Sequence, residues 1–176
     1  MSEDKPPHGM ALLWAPWRMA YIRSPKPRGC PFCIPLDDPS EDRERYVLAR
    51  GKRAYICLNL YPYTNGHILI APYEHTGGLV EIDTEALAEM GELMRASLEA
   101  LASYAHPDGY NIGYNIGRAA GAGITDHVHM HVIPRWSGDT SFMCAASATK
   151  VIVQALEDTY EELGPLFERM LAGSGA

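Results

Sequence analysis

Asp126-His127-Val128-His129-Met130-His131-Val132-Ile133-Pro134-Arg135 alternates three histidines with three apolar residues. A strand has a side-chain period of two. The spacing therefore predicts His127, His129 and His131 on one face, with Val128, Met130 and Val132 pointing into a core. A tag remnant would sit at a terminus and would not alternate with branched apolar residues. A single metal ion does not reach all three rings. Same-face neighbours lie about 6.6–6.8 Å apart along a strand, so the outer pair is about 13 Å apart. Zinc–nitrogen bonds are only about 2.0–2.1 Å. Two neighbours sharing an ion, and a histidine-lined core, both stay open beside a phosphate site.

The phosphate reading gains from the loop just upstream, Asn115-Ile116-Gly117-Arg118-Ala119-Ala120-Gly121-Ala122-Gly123. Neutral imidazole attacks phosphorus, while backbone N–H groups and cationic side chains hold the anionic oxygens. The loop is not a dinucleotide fingerprint, because it joins two strands rather than opening a helix. A long hairpin loop with permissive backbone angles is the plainer alternative. Arg118 and Arg135 flank the histidines and can supply local positive charge.

Around this motif the chain alternates strand-like and helix-like segments. Strands are expected at Tyr46–Arg50 and Ala54–Asn59, joined by a turn at Gly51-Lys52, and at His67–Ala71 after the turn Tyr61-Pro62-Tyr63-Thr64-Asn65-Gly66. A helix is expected from Asp83 to Tyr104, capped by Asp83 or Thr84, with Leu87, Met90, Met94, Leu98 and Leu101 as its apolar stripe. Tyr110–Asn115 and His127–Pro134 are the fourth and fifth strands. A last helix, from about Thr149 to Leu171, carries Val151, Leu156, Tyr160, Leu163 and Phe167, and Gly164-Pro165 is expected to break or kink it. This order implies an α+β fold built on an antiparallel sheet.

The 176 residues suit one domain, and the hydrophobic content of 47% supports a proper core. We divide the chain into an extended proline-rich arm, residues 1–30, and a single domain, residues 31–172. The arm segment Leu12–Ile22 is aromatic enough to pack on the domain or on a second subunit. The net charge of -7 argues against nucleic acid or a membrane surface as partner, both of which call for a basic face. No apolar run is long enough to span a bilayer and residues 1–10 lack a signal-peptide core, so a cytoplasmic location is expected. In that compartment Cys57 and Cys144 read as buried thiols rather than as a disulfide.

Gly29-Cys30-Pro31-Phe32-Cys33 is a CxxC that needs two more ligands to hold zinc. His75 closes the third strand and His127 opens the fifth, so Cys30, Cys33, His75 and His127 make a sensible tetrahedron. Two bare cysteines and a redox pair are the alternatives; the redox pair lacks a thioredoxin-like setting. To bind zinc, His127 must turn out of line with His129 and His131. His67 is either a capping or core histidine or a support for the phosphate site, and Asn59 can offer its amide to a ribose hydroxyl. Trp136 can stack on a base, meet a partner subunit or simply pack.

These residues carry a family resemblance. His127 to Arg135 resembles the signature of the histidine triad (HIT) superfamily. Asn59 through Asn65-Gly66-His67 to Pro72 and His75 resembles that family's ribose-binding strand pair, and Asn115 to Gly121 its phosphate loop. Finer features, Leu13-Trp14-Ala15-Pro16-Trp17-Arg18-Met19, Ala120-Gly121-Ala122-Gly123 and Arg135-Trp136-Ser137-Gly138-Asp139, resemble the bacterial diadenosine tetraphosphate phosphorylases. Commoner branches place glutamine after the glycine matching Gly121, where this chain has Ala122.

The resemblance implies a five-stranded antiparallel sheet with two main helices, the sheet continuing across a homodimer. It implies that His129 attacks the α-phosphate of an adenine nucleotide to give a nucleotidyl-histidine. His131 and the loop at Asn115, Gly121, Ala122 and Gly123 would stabilise the phosphoryl charge. Asn59 would bind ribose and His67 would support the site; Trp136, from its place just after Pro134-Arg135, is the candidate we add as a nucleotide contact. Zinc on Cys30, Cys33, His75 and His127 would be structural. The implied substrates are dinucleoside polyphosphates, with inorganic phosphate as acceptor giving ADP and ATP. The alternatives are hydrolysis of the same compounds or of nucleoside phosphoramidates, and a zinc-stabilised nucleotide-binding module without turnover.

Overall fold

The computed structural model describes residues 29–139 and 152–173. Its five strands are β1 (Val47–Arg50), β2 (Ala54–Leu58), β3 (Ile68–Pro72), β4 (Gly109–Tyr114) and β5 (Met130–Arg135). They form one antiparallel sheet in the order β1-β2-β3-β5-β4. Two helices accompany it, α1 (Thr84–Ala105) and α2 (Leu156–Gly173). The expected α+β class and antiparallel sheet are therefore present. The aromatic arm segment, Cys144 and Val151 lie outside the described residues.

The two faces of the sheet do different work. β2 and β3 are buried along their whole length because both faces are covered. On one face Ile56, Leu58, Ile68, Ile70, Met130 and Val132 pack with Met90, Leu93 and Leu101 of α1 and Leu163 and Phe167 of α2. On the other, Val47, Tyr55, Cys57, Leu69 and Ala71 pack with Ile34 and Phe32 from the segment before β1. His131 sits opposite Leu69 in the ladder, which puts it on this second face.

Three local features hold the frame. Asp83 caps α1, accepting from the Glu85 amide, and His106 ends it in the left-handed region. The turn between β1 and β2 is gripped by Glu89 of α1, whose carboxylate accepts from the amides of Lys52, Arg53 and Ala54 at 2.8, 2.6 and 3.0 Å. Arg50 donates to both carboxylate oxygens of Asp42 and to the carbonyls of Pro35, Leu36 and Asp38, which pins the segment leading into β1.

Several boundaries differ from expectation. β5 begins at Met130, not His127, because its ladder with β3 ends at the Ile70–Met130 pair. Residues 127–129 continue outside the ladder, with the Val128 amide donating to the Thr76 carbonyl at 2.6 Å instead. In α1, Leu87 is 39% exposed, and the buried stripe runs through Ala86, Met90, Leu93, Ser97, Ala100 and Leu101. Small residues there let the helix lie close to the sheet and the second helix. α2 begins at Leu156, and it runs through Gly164-Pro165 without breaking. Pro165 lies on the exposed side, where water can satisfy the carbonyl its ring leaves without a partner.

Phe167, fully buried, is expected to lower stability by about 3–5 kcal/mol when changed to alanine. Pro165→Ala should act oppositely, raising stability by up to about 3 kcal/mol by restoring an interior helix bond. Urea unfolding followed by circular dichroism checks both signs.

Candidate functional site

The site forms where the end of β3, the turn before it, the loop after β4 and the start of β5 converge on the second face of the sheet. Its centre is His129, 8% exposed. The His129 Nδ1 lies 2.9 Å from the His127 carbonyl oxygen. A carbonyl only accepts, so Nδ1 carries the proton and Nε2 has the lone pair in the neutral ring. Burial lowers the basicity of His129, opposed in lesser degree by that same bond, which keeps the ring neutral.

The proton position on His131 follows from a longer chain of donors. The Asn59 amide is oriented by the Tyr61 N–H, which donates to its Oδ1 at 2.9 Å. Its Nδ2 then faces His67 Nδ1 at 3.2 Å. The Tyr63 N–H donates to the same His67 nitrogen at 3.1 Å. His67 Nδ1 is thus an acceptor, so His67 Nε2–H donates to His131 Nδ1, 3.0 Å away. That assigns the proton of neutral His131 to Nε2; Asn115 Nδ2 stands 3.4 Å from it, a donor-to-donor approach that is relieved when the amide is turned end for end so that Oδ1 accepts from the ring. The ring planes of Tyr63 and His131 lie 13° apart, with centroids separated by 6.1 Å.

His129 and His131 have ring centroids 5.0 Å apart. One ring therefore presents a bare nitrogen and its neighbour an N–H donor. That pairing suits attack on a phosphoryl centre with a bond to one of its oxygens. Phe32 covers the other side of His129, its centroid 4.4 Å away and its plane inclined by 29°.

The second cluster sits beside the first. One donor atom from each of Cys30, Cys33, His75 and His127 lies within 4.8 Å of the rest. Cys30 Sγ is 3.3 Å and Cys33 Sγ 3.7 Å from His127 Nδ1, and Cys33 Sγ is 3.2 Å from His75 Nδ1. Sulfur and nitrogen ligands on a tetrahedral zinc stand about 3.5 Å apart, so the donor set fits such an ion. His127 Nε2–H donates to the Pro72 carbonyl at 2.9 Å, which leaves Nδ1 bare and aimed at the thiols. Desolvation, then the adjoining Cys30, pushes the Cys33 thiol up, a conflict that a dication between them resolves. Phe32 meets the rings of both His127 and His129, at 5.6 and 4.4 Å, so His127 keeps to their side of the chain while its Nδ1 still reaches the thiols, without the expected turn out of line. Cys57, by contrast, is buried among apolar side chains, which push its thiol up to about 12.

The other sequence candidates fall into two groups. Asn59, His67 and Asn115 lie against the histidines. The loop forms a short 3₁₀ turn at Arg118–Ala120, flanked by Gly117 and Gly121 at φ 78° and 85°, angles that side chains resist. The amides of Gly121 and Ala122 donate back to the carbonyls of Arg118 and Gly117 at 3.0 and 3.3 Å, so they are already engaged inside the turn. Gly123 is exposed. Trp136 donates its indole N–H to the Ala105 carbonyl at 3.0 Å, packing on the end of α1. Arg135 donates to Asn111 at 2.7 Å. Sequence reasoning missed Phe32 as a neighbour of His129. Its place between two candidate metal ligands was the available signal.

The profile of the HIT domain family matches residues 41–138. The chain belongs to the HIT domain family. A relative from Mycobacterium tuberculosis (strain H37Rv) named AP-4-A phosphorylase is 36% identical over 154 residues, covering 84% of this chain and 79% of that protein. Among solved structures, a zinc-bound histidine triad family protein from Mycobacterium smegmatis is similar with a TM-score of 0.59 and 26% identity, covering 73% of this chain and 87% of the other. A hypothetical histidine triad nucleotide-binding protein from Sulfolobus tokodaii gives 0.60 and 27%, covering 82% and 93%. The shared fold is that of the HIT family, five antiparallel strands with two helices. No described helix is long and apolar enough to cross a membrane.

The lowered basicity of His129 sets a pH dependence. Its ring should titrate below the ordinary histidine value of about 6.5 in an NMR titration of the ring protons, and a midpoint above that contradicts the dominance of burial over the bond to the His127 carbonyl. His127 is lowered too, chiefly by burial. Below about pH 6.5 the unfolded chain therefore takes up protons that the folded rings refuse. Metal-free protein should lose thermal stability progressively on acidification from there down to the folded-state values.

Proposed function

We propose that this HIT protein is a nucleotidyl transferase that cleaves diadenosine polyphosphates, the tetraphosphate above all, with inorganic phosphate as acceptor. The geometry that carries the reading is the opposed bonding of neighbouring rings: His129 Nδ1 meets the His127 carbonyl, which leaves its Nε2 bare, and His131 Nδ1 meets His67 Nε2, which assigns the His131 proton to its own Nε2. The identity to the AP-4-A phosphorylase over most of both chains supports the substrate.

In the first step the His129 Nε2 lone pair attacks the α-phosphorus of one adenylyl end. A P–N bond forms, the P–O bond to the remaining triphosphate chain breaks, and ATP leaves with that electron pair. His131 Nε2–H donates to an oxygen of the transferring group and offsets the charge gathering there. His67, held by Asn59 and Tyr63, keeps that proton on the outward nitrogen. In the second step a phosphate oxygen attacks the adenylyl phosphorus, the P–N bond breaks, and ADP forms as His129 recovers its lone pair. We assign nucleotide contacts to Asn115, Gly121, Ala122, Gly123 and Trp136, with Gly121 and Ala122 serving once the turn opens. In this reading Asn59 acts on ribose through whatever bonding capacity its bond to His67 leaves.

Zinc is the ion that two thiolates and two imidazoles favour, and we assign it to Cys30, Cys33, His75 and His127 as a structural group. The zinc-bound relative supports this. We read the working form as a homodimer. β4 is an edge strand, with Ile112 43% exposed, ready to continue the sheet into a second copy. We retain residues 1–30 as an arm and 31–172 as one domain. The free thiols of Cys30, Cys33 and Cys57 suit a reducing, cytoplasmic setting.

Two measurements test these assignments. Diadenosine tetraphosphate should yield ADP and ATP only when phosphate is supplied, and His129→Ala should lose at least about a thousandfold in kcat. Release of AMP at the same rate without phosphate assigns hydrolysis instead, and full turnover by the alanine variant removes the covalent mechanism altogether. Protein purified without a tag should carry about one equivalent of zinc per chain, falling to nearly none in Cys33→Ser; an untagged preparation with no zinc ends the metal assignment.

A further inference from the structure

Phe32 has an unusual position. It lies between Cys30 and Cys33, so any ion held by these two thiols fixes the backbone on both sides of it. Its carbonyl accepts from the Tyr55 O–H at 2.8 Å, and Tyr55 is 1% exposed. The next apolar residue along, Ile34, is buried in the same cluster as Tyr55. The backbone of Phe32 is thus anchored by the knuckle, by a buried phenol and by a core side chain. Its ring lies over His129 at 4.4 Å and 29°, and reaches the His127 ring at 5.6 Å and 54°.

The bond from His129 Nδ1–H to the His127 carbonyl fixes one edge of the imidazole. It does not fix the tilt of the ring about that contact. The Nε2 lone pair lies in the ring plane, so tilt sets the direction of attack. Displacement at phosphorus needs the nucleophile aligned with the leaving oxygen, and small misalignments are costly. Phe32 supplies the surface that defines the plane.

We propose that Phe32 is a positioning residue for His129, and that closure of Cys30, Cys33, His75 and His127 on a metal ion sets the attack direction of the imidazole through it. This rests on the reading of His129 as the nucleophile. The metal site thereby acts on the reaction without touching substrate. The plainer reading makes Phe32 an apolar filler beneath the sheet, and leucine would serve as well. Another makes it a nucleoside contact, felt in KM.

The zinc-loaded enzyme tests this with two variants and one spectroscopic signature. Phe32→Leu keeps the apolar volume and removes the ring; at full zinc occupancy kcat should fall about tenfold with KM within about twofold. Phe32→Tyr restores a ring and should recover most of the loss. In the unmutated protein, the ring resonances of His129 should shift when zinc is removed by a chelator and return when zinc is added back, and in Phe32→Leu the same shift should be much smaller; a shift of equal size in Phe32→Leu assigns the effect to the His127 carbonyl instead and overturns the proposal. Unchanged kcat in Phe32→Leu, a change confined to KM, or His129 resonances indifferent to zinc would each overturn the proposal. The spectroscopic arm does not depend on turnover. Failure of the nucleophile reading shows itself separately, as activity surviving in His129→Ala.

Discussion

The site depends on the three bonds made by one residue, His127. Its Nε2–H is committed to the Pro72 carbonyl, its Nδ1 faces the two thiols, and its own main-chain carbonyl accepts from His129. Each bond constrains the next. Pro72 selects the tautomer that can ligate, and ligation of a metal ion would hold residue 127 still. A still carbonyl then holds the proton of His129 on the nitrogen away from substrate. Burial makes these constraints strong, because a fully buried imidazole has no water to exchange partners with. The residue can do this because it lies just ahead of the β5 ladder, where neither its side chain nor its carbonyl is bound to strand geometry.

The division of labour across the sheet explains how such a site survives in a small domain. The helix-side face holds most of the large buried apolar side chains and carries the stability. The other face is thinner, closed by the segment around Phe32 and Ile34. Polar groups placed there do not interrupt the main core. They are satisfied by one another, through a line of donors running from Asn59 and Tyr63 to His67 and then His131. The same residues that would be costly in the core are tolerated here because His67 Nδ1 and His131 Nδ1 each accept a bond from a neighbouring donor.

Much of this was legible in the sequence because it rests on short-range periodicity. The alternation from His127 to Val132 announced which side chains share a face, and it held even where the ladder stopped. The cysteine and histidine cluster was also readable, since few arrangements offer two thiols and two imidazoles to one ion. The strand start was not readable, because it depends on where β3 runs out of partners. Nor was the exposure of Leu87: the helix repeat permits two neighbouring stripes, and the closer approach allowed by Ala86, Ser97 and Ala100 decides between them. Phe32 over His129, and the use of the Gly121 and Ala122 amides within their own turn, are contacts of folding rather than of spacing. Pro165 looked like a helix breaker because local preference says so. Its exposed position removes most of the reason.

The grip of Glu89 on the first hairpin has a further meaning. A two-strand ribbon ordinarily draws its shape from the residues at its tip. Here the three consecutive amides at that tip converge on a carboxylate 35 to 37 positions later in the chain. The ribbon is consequently not an autonomous unit: its bend is completed only when α1 docks. The identity of Lys52 matters little to that bend, because only its amide is used, whereas Arg53 adds ion pairs from its side chain to Asp83 and Glu85 at the start of α1; an ordinary-looking acidic residue on the helix surface becomes the keystone of a distant corner.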